Sequence, residues 1–161
     1  MMEPSDAYAP IDFGAYTQPV STGSAAAQLW FNRGCVWAMG FHREEAAHCF
    51  ARASEIDPEC AMAWWGLALA NGPDYNFHAA AGFYTVASQP KGYPSLKVAT
   101  DALARARALP CAPRERALIS ALSTRYEWPV KEGTVDLQEK YAAEMEALAS
   151  AHPDDADIQA V

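Results

Sequence analysis

Residues 27–60 read AQLWFNRGCVWAMGFHREEAAHCFARASEIDPEC, and residues 61–70 read AMAWWGLALA. Trp30 and Trp64 lie 34 residues apart, and each opens a segment with the same internal pattern. That period is the length of one helix-turn-helix unit in a helical repeat array. Trp30, Gly34 and Trp37 fall at i, i+4 and i+7, one face of a helix. Ala46, Phe50 and Ala53 repeat this spacing on a second helix. Glycine weakens a helix relative to alanine, so Gly34 implies a close backbone approach. Opposite Ala46 it lets the two helices meet, while Trp37 and Phe50 fill the space beside them. Asp57-Pro58 ends the second helix, because proline disfavours helical geometry at the residue before it. A unit of this kind cannot bury its apolar face alone, so it stacks on a neighbour and creates a groove.

Counting Ala27 as the first position, Trp30, Gly34, Trp37, Ala46, Phe50, Ala53 and Pro58 occupy the signature positions of a tetratricopeptide repeat, and Arg33 departs from the usual leucine. The pattern restarts at Ala61 with Trp64, Leu67 and Ala68. Over Ala27–Ala70 the chain resembles tetratricopeptide-repeat proteins. It looks most like long bacterial and fungal members of unassigned activity, which carry Trp-Gly-x-Ala followed by Gly-Pro and a Tyr-Asn pair. Those stand here as Trp65-Gly66-Leu67-Ala68 and Gly72-Pro73-Asp74-Tyr75-Asn76. The resemblance implies an all-α solenoid of antiparallel helix pairs, about three repeats long, with an aromatic insertion loop.

The 161 residues suit one domain, and 51% are apolar, enough for a core. The net charge of −8 and a pI near 4.9 argue against nucleic acid and anionic membranes as partners. Arg105, Arg107, Arg114 and Arg116 form a small basic cluster that reads as a solvated helix face. The N-terminus lacks the basic start and apolar run of a secretory signal. No stretch approaches a membrane span. Cys35, Cys49, Cys60 and Cys111 include no Cys-x-x-Cys pair and read as reduced thiols of a cytoplasmic protein.

Residues 1–23 read as an extended N-terminal arm anchored by Tyr8, Phe13 and Tyr16, and residues 24–161 as the repeat domain. Ser24 is placed to cap a first helix over residues 25–39. Gly40-Phe41-His42 turns the chain into a second helix over 43–56. A third covers 60–71 and stops at Gly72-Pro73. Residues 73–94, rich in Tyr and Phe, form the insertion, with a short helix expected around 78–86. Ala99, Leu103 and Ala106 mark the partner helix of the second repeat, ended by Pro110. Pro113 suits the first position of a helix running to about residue 126. Asp136 and Glu139 have capping-box spacing for a helix to about residue 150. A further helix starts at Asp155 and reaches Val161 within its first turns. The array thus stops as a helix begins, which suggests a longer array or association through the C-terminal face.

In the resembled fold, the first helix of each repeat lines the concave surface. The inward positions are Gln28, Phe31, Cys35 and Ala38, then Met62, Trp65, Leu69 and Gly72. The groove is mostly apolar and lacks the Lys, Arg and Asn set that clamps a peptide carboxylate. The expected function is a non-catalytic interaction or ligand-binding module. Phe31, Cys35, Met62, Trp65 and Leu69 line its groove, and Tyr75, Asn76 and His78 gate one end. The partner is a protein or peptide, such as an amphipathic helix, or an apolar small molecule. The groove could instead be filled by the arm or by the insertion. On this assignment Trp65→Ala weakens binding more than folding, and Trp37→Ala mainly unfolds the repeat.

The alternative is an enzyme or metal-binding protein whose pocket joins the groove to the 73–94 loop. His42, His48 and His78, with Glu44, Glu45, Cys49, Asp74 and Asn76, are the ligand candidates. Their spacing matches no known metal motif, and capping or surface roles account for the histidines. Cys35 with His78 is the one nucleophile–base pair to consider. No catalytic, metal-ligand or cofactor residues are assigned from the sequence.

Overall fold

The computed structural model describes residues 11–72, 95–129 and 136–161, with the backbone alone at Asp136. Among these residues every regular element is an α-helix: α1 Ala25–Met39, α2 Arg43–Ile56, α3 Ala61–Asn71, α4 Leu96–Ala108, α5 Pro113–Ser123, α6 Asp136–Ala151 and α7 Ala156–Ala160. None is long and apolar enough to cross a membrane. The short helix expected at 78–86 lies outside the described residues.

Local chemistry sets the helix ends. Ser24 Oγ accepts from the Ala27 backbone N–H at 3.2 Å, and Ser95 Oγ accepts from Val98 at 3.3 Å. Each satisfies one of the donors a helix N-terminus leaves open. Pro113 occupies the first turn of α5, where a missing N–H costs nothing. Glu115 reaches back to accept from the Ala112 N–H at 2.8 Å. Asp155 Oδ1 caps α7 by accepting from Ile158 at 3.1 Å.

Each helix packs on the next in sequence, and α3 also packs on α1 and on α5. The core centres on the Phe50 ring. A Cβ added at Gly34 of α1 would lie 2.6 Å from that ring, and one added at Gly66 of α3 would also collide with it. The ring is therefore gripped between two helices at sites where only hydrogen fits. At Gly34 the three atoms nearest to such a Cβ all belong to the Phe50 ring. Phe31 stacks against the other side, with ring centroids 5.5 Å apart at 53°. Gly72, after α3, plays the same part for Tyr126.

The segment before α1 lies along its surface as a strap. Gln28 Oε1 accepts from Val20 N at 3.0 Å, while its Nε2 donates to Gln18 O at 2.8 Å. Asn32 Oδ1 accepts from Gln18 N at 3.2 Å, and Phe13 meets Trp37 edge-on with centroids 5.7 Å apart. Farther along, Ser21 N donates to buried Glu115 Oε1 at 2.6 Å, and the Thr22 hydroxyl donates to Asp57. The strap thus ties α1 to α5 through backbone groups.

Candidate functional site

Between α1, α2 and α3 the packing leaves a cavity of about 170 Å³. Cys35 and Ala38 of α1, Ala46 and Phe50 of α2, and Trp65, Leu69 and Ala70 of α3 form its apolar floor. Met39 and Phe41 stand at its rim, both exposed. Phe41 has φ of 60°, a left-handed conformation that L side chains rarely adopt. Gln18 of the strap, Arg125 after α5, and Asp157, Ala160 and Val161 at the far end of the chain complete the wall. The strap and α7 thus close one side of this space and leave a pocket.

Burial and geometry sort the expected site residues. Cys35, Trp65 and Leu69 line the cavity. Phe31 and Met62 are fully buried in the hydrophobic core and are not part of its wall. Phe31 is spent on Phe50, as its ring contact shows. Tyr75, Asn76 and His78 lie outside the described residues. Trp65 is only 2% exposed whereas Trp37 is half-buried, so Trp65 serves the core and the cavity wall together. The expected division, with Trp65 for binding and Trp37 for folding, does not match this burial.

A polar cluster sits where the strap meets α1 and α7. The Tyr16 hydroxyl lies 2.9 Å from Asp157 Oδ1 and 3.3 Å from Gln18 Oε1, and the Cys35 thiol donates to Gln18 Oε1 at 3.5 Å. Burial foremost, then the nearby thiol and carboxylate, raise the Tyr16 pKa far above the ordinary tyrosine range. Burial also pushes Cys35 up to about 12, against a smaller opposing effect of its hydrogen bond to Tyr16. Burial thus keeps the Cys35 thiol protonated at neutral pH, which disfavours the thiolate a nucleophile needs.

His42 and His48 are drawn to tryptophans rather than to one another. His42 packs on Trp37 with centroids 5.2 Å apart, and His48 on Trp30 at 6.1 Å. Neither lines the cavity. Among the described residues no group of three or more His, Cys, Asp or Glu side chains is placed to hold a metal ion.

Several wall residues were not singled out from the sequence. Arg43 Nη2 donates to Leu69 O at 3.3 Å, to Ala70 O at 3.0 Å and to Gly72 O, so its guanidinium caps the C-terminal end of α3. A signal existed: a basic residue opening α2 opposes that helix's own dipole, which implies a use elsewhere. Arg125 Nε donates to Gln138 Oε1 at 3.1 Å, and its guanidinium lies 4.6 Å from the Tyr141 ring centroid. Gln18 and Asp157 carry no local pattern at all, since only the fold brings these two residues, 139 apart in sequence, to one cavity.

No protein-family model matches the chain, and neither the curated proteins nor the solved structures yield a significant match.

Proposed function

We propose that this chain is a non-catalytic ligand-binding module, built as a tetratricopeptide-like solenoid, whose closed groove holds a small apolar molecule. The repeat reading draws on the Trp30 and Trp64 pattern and on α3 packing against both α1 and α5, as stacked helix pairs require. The ligand reading rests on one observation, the apolar cavity bounded by Cys35, Trp65 and Leu69. Its volume favours the small molecule among the expected partners. An engineered apolar cavity of roughly 150 Å³ accepts benzene. An amphipathic helix needs a groove for anchors along two turns. A space of about 170 Å³ takes one ring or a short aliphatic chain, and the strap and α7 occupy the flanks a helix would need. The protonated Cys35 and the scattered histidines favour binding over catalysis.

Toluene titration followed by tryptophan fluorescence and thermal shift tests this reading. Saturable one-to-one binding with a rise in melting temperature is expected, because a ligand that binds only the folded state stabilises it. Leu69→Trp, which fills the cavity, abolishes the response. An unsaturable signal, or one indifferent to Leu69→Trp, overturns the proposal.

A further inference from the structure

The cavity wall carries charge: its described residues include Arg43, Arg125 and Asp157. Asp157 is its one side-chain carboxylate, and it is already engaged by the Tyr16 hydroxyl at 2.9 Å and by Arg114 at 3.4 Å. On the same wall Arg125 has an amide and an aromatic ring as partners and, among the described residues, no carboxylate. A cation beside apolar surface without a counter-ion favours an anion brought from outside.

Two neutral donors add to this. Gln18 is 4% exposed, and its Oε1 accepts from the Cys35 thiol, which turns the amide nitrogen the other way. Among the described residues no hydrogen bond runs from that nitrogen to a protein acceptor. Among the described residues the indole N–H of Trp65 is buried with no partner. A buried donor left unsatisfied is costly, and an incoming acceptor offsets that cost. Both side chains line the cavity that holds Arg125.

We infer that the ligand is a small monocarboxylate with an apolar body, its carboxylate held by Arg125 and the Gln18 amide, with the Trp65 N–H as a further donor, and its body against Cys35 and Leu69. This rests on the ligand-binding reading above and adds the charge of the ligand to it. The shape of the site agrees, since the apolar floor lies between helices and the polar groups come from the strap and from the segment after α5.

Benzoate and toluene are the matched probes, because they share a ring and differ in the carboxylate. Calorimetric or fluorescence titration of the full chain is expected to give benzoate at least ten-fold tighter than toluene. Arg125→Met and Gln18→Met each lower that ratio, and Arg125→Lys keeps most of it. Thermal melts of each variant separate a lost anion site from a lost fold, and a variant that does not melt cooperatively is replaced by the ratio in Arg125→Lys and in high salt, which must fall as ionic strength rises. Equal affinities for the two probes, or a ratio unmoved by both methionine substitutions, overturn the carboxylate inference and leave the apolar-cavity reading standing. Binding of neither probe overturns both.

Discussion

The contact around Phe50 and the strap around residues 16–22 are joined to the same helix, α1, by opposite means. Phe50 is held by shape, with Gly34 and Gly66 giving up their side chains to the ring and no polar atom involved. The strap is held by hydrogen bonds to Gln28, Asn32, Glu115, Asp57 and Asp157. Close packing of a large ring has no substitute in water, whereas each of the strap's bonds can be exchanged for one to solvent. The difference separates a scaffold that fixes the cavity floor from a closure that can yield when a ligand enters.

The scaffold predicts the largest effects. Phe50→Ala removes a ring gripped between two helices and is expected to cost about 3–5 kcal/mol in a denaturant titration. Gly66→Ala tests the same contact from the other side. Alanine normally strengthens a helix interior, but here its methyl enters the Phe50 ring, so a loss of about 1–3 kcal/mol is expected. A Gly66→Ala protein more stable than the parent would mean that the ring can retreat, and the contrast with the strap would weaken.

The strap predicts an intermediate effect of a different kind. Glu115 is 3% exposed and accepts from both Ser21 N and Ala112 N. Glu115→Ala leaves two donors to find water, with an expected cost of about 1–3 kcal/mol. Amide hydrogen exchange should show the loss concentrated at Ser21 and its neighbours, with α1–α3 still protected. Uniform loss of protection would instead make the strap part of the scaffold.

These two regions were unequally legible in the sequence. The aromatic and small residues of 27–70 repeat at fixed intervals, and helix periodicity converts those intervals into a face. The bounds of α1 and α2 follow from that pattern and from Ser24 and Asp57-Pro58. Cys35, Trp65 and Leu69 reach the cavity for the same reason, since they share the inward face. Phe31 and Met62 share that face too, yet sit in the core. The register of two helices, which decides between wall and core, depends on how far Phe50 penetrates, and no spacing encodes that. Gln18, Arg125 and Asp157 come from three distant segments, and their meeting is a property of tertiary packing alone.

The smallest expected effect concerns α7, which supplies Asp157 to the cavity. Its first turn is fixed by Asp155, which accepts from Ile158 N at 3.1 Å and from Arg114 Nη2 at 2.8 Å. Hydrogen bonding to Arg114 is the main cause that lowers the Asp155 pKa to about 2. A carboxyl whose folded pKa lies below its unfolded value of roughly 4 stabilises the fold above that unfolded value. The contribution is lost as pH falls from about 4 towards 2, when the carboxylate takes up its proton. Asp155→Asn keeps a capping side chain but removes the charge. At pH 7 it should therefore lower stability by about 1 kcal/mol, the scale of a well-formed, partly exposed ion pair. Melting curves of the two proteins should draw together below pH 4 and coincide near pH 2. Because α7 closes the cavity beside the strap, the same substitution should also speed ligand release, whereas Gly66→Ala should act on stability first. A gap that persists at pH 2 would place the role of Asp155 in its geometry, and the charged closure would then be no different in kind from the packed floor.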